Sequence, residues 1–174
     1  MMKRLRLLIL SVALCGLLHV GLSLTSCSNT GCTENRNAVP LAEFFNSTTG
    51  QTVGFDSIEI TGVGQPADSV LSEAGDIITQ VYLPMRPTHN SVAWCFAYKW
   101  EYIDYPELND TIEFVYDSTP FFASADCGAY YKYHITEMTY TNHLIDRVEI
   151  TDSLITNIDK VYVNIYFRVQ SDDK

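Results

Sequence analysis

The chain has 174 residues, 47% of them hydrophobic, with 21 Asp and Glu against 11 Lys and Arg and a formal net charge of −10 at pH 7. Residues 1–26 hold three of the bases and none of the acids, so the remainder carries eight positive and 21 negative side chains, a formal −13. Such acidity excludes nucleic acid as a partner and disfavours lying flat on anionic lipid, while the length suits a single domain with a sizeable core.

The chain opens with a basic start at Lys3, Arg4 and Arg6, an apolar run from Leu7 to Leu24, and the small-residue ending Leu24-Thr25-Ser26-Cys27. The run is long enough to be weighed as a membrane span, but Gly16 and Gly21 interrupt it and its ending is of the cleavage type, which predicts a helical signal peptide over 1–26. Leu24 to Cys27 resembles the lipobox of bacterial lipoprotein precursors. That resemblance implies diacylglyceration of the Cys27 thiol and cleavage before it. Two or three acyl chains on one residue, each contributing about 0.8 kcal/mol per buried CH₂, would tether the mature chain without spanning the membrane.

Residues 27–38 then read as the lipidated cysteine and a polar tether, 39–171 as the folded domain, and 172–174 as a short polar tail. Within the domain, Leu41 to Phe45 predicts a first strand and Asn46 to Gly50 a turn. Val53 to Thr61 resumes the alternation with Ile58 and Ile60 on one face, and Gly62 to Pro66 ends it. Ser69 to Leu71 reads as a short edge strand and Ile77 to Leu83 as another, stopped by Pro84 and Pro87. From Ser91 to Tyr102, Val92, Trp94, Phe96, Tyr98, Trp100 and Tyr102 share one parity and Ala93, Cys95 and Ala97 the other, which predicts a central strand packed on both faces at its start. Tyr105 to Asp110 reads as the turn into Thr111 to Tyr116. Ala129 to Tyr140, Ile145 to Thr151 and Lys160 to Gln170 complete the set, and no stretch after the signal predicts a helix. About eight strands separated by Gly, Pro, Asn and Asp point to one all-β domain, an antiparallel β-sandwich, with a closed β-barrel as the alternative.

With Cys27 lipidated, Cys32, Cys95 and Cys127 remain, so at most one intramolecular pair can form among them. Cys32 in the tether and Cys127 in the loop Ser124 to Gly128 can be stapled without breaking a strand, whereas Cys95 sits mid-strand as a small buried hydrophobe. A Cys32–Cys127 bond closing so long a loop is worth about 4–5 kcal/mol at most. No Cys or His spacing predicts a metal site, and no cofactor is expected.

The lipobox, the early Cys32, the Leu83-Pro84 strand ending, the Cys127-Gly128 pair and the final alternating run together resemble a family of small lipoproteins of unknown function from Bacteroides-type bacteria. This resemblance implies an exported β-fold protein anchored at the outer membrane, and no activity. Exported surface lipoproteins of that group resemble one another in an acidic run after the lipidated cysteine; here Ser28 to Thr33 is uncharged, which favours the periplasmic face. The same group modifies Asp-Ser/Thr-apolar sequons with O-linked sugar, and five triplets resemble that pattern, placing candidates at Ser57, Ser69, Thr111, Ser118 and Ser153. The plainer account is that Asp before Ser or Thr closes a turn by bonding local backbone amides.

No signature of a nucleophile elbow, zinc protease, P-loop or dinucleotide site occurs, and the acids are scattered as on a solvated surface. His134 and Glu137 fall on opposite faces of one strand. No catalytic residue is expected. Trp100, Tyr102, Tyr105, Tyr130 and Tyr131 form a candidate aromatic patch for glycan or protein, although tyrosines also half-bury at sandwich rims. Two functions follow: a noncatalytic envelope lipoprotein with an accessory or scaffold role beside a protein partner, or a surface lipoprotein that binds glycan.

Overall fold

The computed structural model describes residues 32, 35–64, 69–99 and 105–169. The expected signal peptide, the expected lipidation site Cys27, most of the expected tether, Trp100, Tyr102 and the 172–174 tail lie outside the described residues. The fold below belongs to the unit spanning residues 34–174.

Ten strands form two sheets. They are β1 (Leu41–Asn46), β2 (Ile58–Gly62), β3 (Val70–Ser72), β4 (Gln80–Tyr82), β5 (Ser91–Tyr98), β6 (Asp110–Ser124), β7 (Gly128–Tyr140), β8 (Ile145–Ile150), β9 (Leu154–Ile155) and β10 (Val161–Phe167). One sheet runs β4-β1-β10-β8 and the other β3-β2-β5-β6-β7-β9. This is the expected sandwich, and there is no α-helix among the described residues; a single 3₁₀ turn, Pro106–Leu108, sits in the β5–β6 connection.

The alternation in the sequence explains the layering. Ile58 and Ile60 of β2, Val92, Trp94, Phe96 and Tyr98 of β5, Ile112, Phe114 and Tyr116 of β6, and Val163, Ile165 and Phe167 of β10 are all buried. Phe44 of β1 joins the two layers, its ring edge-on to Phe167 at 5.4 Å and to Phe96 of the opposite sheet at 6.5 Å. Such edge-to-face contacts add about 0.5–1.5 kcal/mol each beyond burial.

Three expectations need correction. The sandwich is not purely antiparallel: β1 and β10 pair in parallel, Phe44 opposite Ile165. Parallel neighbours need a long crossover, and here the whole six-stranded sheet provides it. The small-residue face of β5 is also less covered than expected, with Ala93 and Cys95 only half-buried. Finally, β6 continues past Tyr116 through Pro120 to Ser124. Its pairing with β5 stops at Ser91–Val115, so beyond that point β6 has an open edge, where a proline removes no ladder hydrogen bond. A bulge at Val115/Tyr116, with Thr136 as the extra residue on β7, marks where the hairpin departs.

One buried carboxylate ties the sheets together. Asp110, fully buried at the start of β6, accepts at Oδ2 from the Tyr98 hydroxyl and from the amides of Leu144 and Ile145, each at 2.8 Å. Its Oδ1 accepts from the His143 amide at 2.8 Å and the Thr141 hydroxyl at 2.9 Å. The carbonyls of the same β7–β8 crossing are taken by Arg168, whose Nη1 reaches Asn142, His143 and Ile145, while Nη2 pairs with Asp146 at 2.9 Å. A crossing between layers exposes backbone polar groups that neither sheet can satisfy; here one acid takes amides and one base takes carbonyls.

Asp110→Ala leaves those donors buried and unpaired and should cost about 3–5 kcal/mol, read as a large drop in the urea midpoint; a loss below about 1 kcal/mol would exclude the clamp. Burial, reinforced by the Asp110 charge, also pushes the Tyr98 phenol far above the ordinary tyrosine range. Above pH 10 the unfolded chain loses that proton and the folded chain keeps it, so stability falls as pH rises, by up to about 1.4 kcal/mol per pH unit from this group. Urea unfolding at pH 9 and pH 11 should show a shallower fall in Tyr98→Phe.

Candidate functional site

Where β7 leaves the hairpin turn, it meets the segments before β1 and after β4. Arg36 to Val39, Pro84, Met85 and Pro87, and Ala129 to Tyr131 with Tyr133 line a cleft of about 550 Å³. Its walls are held by phenols. The Tyr116 hydroxyl donates to the Arg86 carbonyl and accepts from the Arg86 amide, both at 3.0 Å. The Tyr133 hydroxyl reaches the Met85 carbonyl at 3.4 Å, and the two rings meet edge-on at 5.4 Å. Burial, with smaller contributions from Tyr116 and Tyr131, pushes the Tyr133 phenol up, so it is neutral at physiological pH. On the far wall the Tyr130 hydroxyl donates to Asn157 Oδ1 at 2.9 Å, and Asn157 Nδ2 donates to the Asn35 carbonyl at 3.0 Å. The leader residues are thereby fastened to the domain.

The described members of the expected aromatic patch do not form one surface. Tyr131 is 41% exposed but its neighbour Tyr130 only 8%, because adjacent strand residues face opposite ways. Tyr105 precedes the 3₁₀ turn at the other end of the β6–β7 ladder. Tyr131 pairs with Pro120 and Tyr140 with Ile112, nine residues apart, or about 30 Å. What remains at the cleft is an apolar floor with Tyr131, Arg36 and Asn37 at its rim, a composition that suits stacking and hydrogen bonding to a polar ring.

Chemistry elsewhere is sparse. His89 Nδ1 lies 3.0 Å from the Thr88 hydroxyl in an exposed loop, and no hydrogen bond joins it to Asp117, which lines the same open hollow. Among the described residues no three His, Cys, Asp or Glu side chains cluster to hold a metal, and no helix is long and apolar enough to cross a membrane. Cys32 and Cys127 are both disulfide-bonded, whereas Cys95 is free and half-buried, its thiol pushed up first by burial and then by Glu59.

The five sequon hydroxyls divide by environment. All of Ser57, Ser69, Thr111, Ser118 and Ser153 are half-buried. Asp110 before Thr111 is saturated and buried, so an enzyme acting on the folded chain cannot read it. Ser118 donates to the Pro87 carbonyl at 2.8 Å within β6. At Asp152, Oδ1 accepts from the Leu154 amide at 2.9 Å, the local turn bond that accounts for an Asp-Ser pair without any modification. The residue that pattern reading missed is Asp110; its partners lie 12 to 35 positions away, beyond any local signal.

Tyr130→Phe should cost about 1 kcal/mol and loosen the leader. Trypsin should then cut after Arg36 several-fold faster than in the parent chain; an unchanged rate would exclude the Tyr130–Asn157–Asn35 link as the fastening.

No curated protein and no solved structure matches this chain. A protein-family model does match, over residues 57–167, from the residue before β2 to the last residue of β10. The matched span takes in Asp110 and nine of the ten strands. The chain therefore belongs to the family of unknown function DUF6452.

Proposed function

We propose that this chain is a noncatalytic lipoprotein of a bacterial envelope, anchored through acyl chains on Cys27 to the outer membrane, with its domain on the periplasmic side in an accessory or scaffold role. The observation that carries the reading is the disulfide-bonded state of Cys32 and Cys127 in a chain whose opening residues resemble a lipoprotein signal. Disulfides persist in oxidising compartments, and the opening segment supplies the export. The uncharged stretch after Cys27 supports the periplasmic face.

A second reading, a surface lipoprotein that binds glycan, draws on the cleft of Tyr131, Arg36 and Asn37. The two differ in the side of the membrane the domain occupies.

Cys27→Ala should abolish labelling by a fatty-acid probe and release the domain from membranes; persistent labelling would sink the anchor. In the parent chain, protease should spare the protein in intact cells and destroy it in lysed cells. Loss from intact cells would transfer the argument to the glycan reading.

A further inference from the structure

We propose that the tip of the β6–β7 hairpin is a lipid-contacting surface through which the domain rests on the membrane that anchors it. The inference rests on the lipoprotein reading above and goes beyond it by assigning the face of the domain that meets the bilayer.

Past Val115 the hairpin extends beyond the reach of β5 and exposes its apolar side chains. Phe122 is 68% exposed and Phe121 41%. Single exposed aromatics are ordinary, but two adjacent phenylalanines at the end of a hairpin make a patch. Phe121 pairs with Tyr130 and Phe122 with Ala129, so the two rings lie on opposite faces and both faces of the tip are apolar. Groups suited to a headgroup layer stand one or two rungs behind. Tyr131 shares the Phe122 face, and the Lys132 ammonium lies 3.4 Å over the Phe121 ring. Rings foremost, with phenol and amine set back, is the order in which side chains partition at a bilayer boundary.

Charge and chain length select lipid as the occupant. Between Ser118 and Lys132 there is one acid, Asp126, and one base, Lys132, so the tip is a neutral spot on an acidic domain. Cys127 lies in the turn that closes this hairpin. Both Cys32 and Cys127 are disulfide-bonded, and the pairing of the two that the sequence leads one to expect would tie the tip to a residue five positions from Cys27, a leash of at most about 18 Å plus the roughly 6 Å between disulfide-linked Cα atoms. The opposite end of the ladder, at Tyr140, is ten residues further along β7 than Tyr130, about 33 Å. The tip is the end that the leash keeps at the membrane.

The test uses the full-length chain in its own membranes, with a photoreactive benzophenone amino acid in place of Phe122 or, as a control, of Tyr105, which is also exposed. Irradiation should give phospholipid adducts at position 122 several-fold more abundant than at 105. Cys32→Ser, which keeps Cys27, should cut the adduct at 122 several-fold with fatty-acid labelling intact. Adducts at 122 to another protein or to a second copy, or lipid adducts no greater than at 105, would overturn the inference while labelling at Cys27 leaves the lipoprotein reading standing. Absence of that labelling would remove both.

Discussion

The structure turns on the Asp110 carboxylate. A sandwich whose strands pass from one sheet to the other must carry backbone across a layer where no ladder partner waits, and the 141–145 crossing does this beside the core. Asp110 collects its amides and Arg168 its carbonyls. A buried charge is stabilising only when its lone pairs are filled, and this one accepts from five donors. The phenol of Tyr98 is part of that shell, which is why a residue from the middle of the six-stranded sheet is committed to the geometry of a loop leading into the other sheet.

Much of the architecture was legible because a sheet with one buried face writes its orientation into every second residue. Ile58 and Ile60, the large parity of β5, and Val163, Ile165 and Phe167 of the final run face the core as their spacing predicts, while an irregularity beside Leu41 buries Tyr162 instead of Val161. The same parity rule separates Tyr130 from Tyr131. A patch drawn from both ignores the pleat. What pattern could not supply was non-local. The parallel seam between β1 and β10 leaves no trace in either strand, since a side chain alternates in the same way whatever the direction of its neighbour. The strand expected to end at Tyr116 runs on through Pro120, whose tolerance depends on β5 having already ended alongside β6. Asp110 reads as one more turn residue because its donors come from distant positions.

The cleft and the hairpin tip share β7, and the bulge at Thr136 divides its labour. On one side of it, the strand packs Ile135 and Tyr133 into the core; on the other it pairs with the stretch of β6 that β5 also supports. The extended hairpin is thus braced by Tyr116 and Tyr133 against Arg86 and Met85, with only the two-residue strand β9 pairing alongside β7 at Tyr133 and His134. The rings here serve as struts, and the region presents groups for stacking, amide and phenol hydrogen bonds, and apolar contact.

The parallel seam also sets an order of events. β1 lies between β4 and β10, and its partner in β10 begins 120 positions further along, Leu41 opposite Val161. The hairpins of the larger sheet close over short loops, but this seam can close only when nearly the whole domain has been made, and contacts of such separation form slowly. Until then β1 has β4 on one side and an open edge on the other. Under the export proposed above, the same separation means that the smaller sheet is not sealed until the last strand has followed the rest across the membrane.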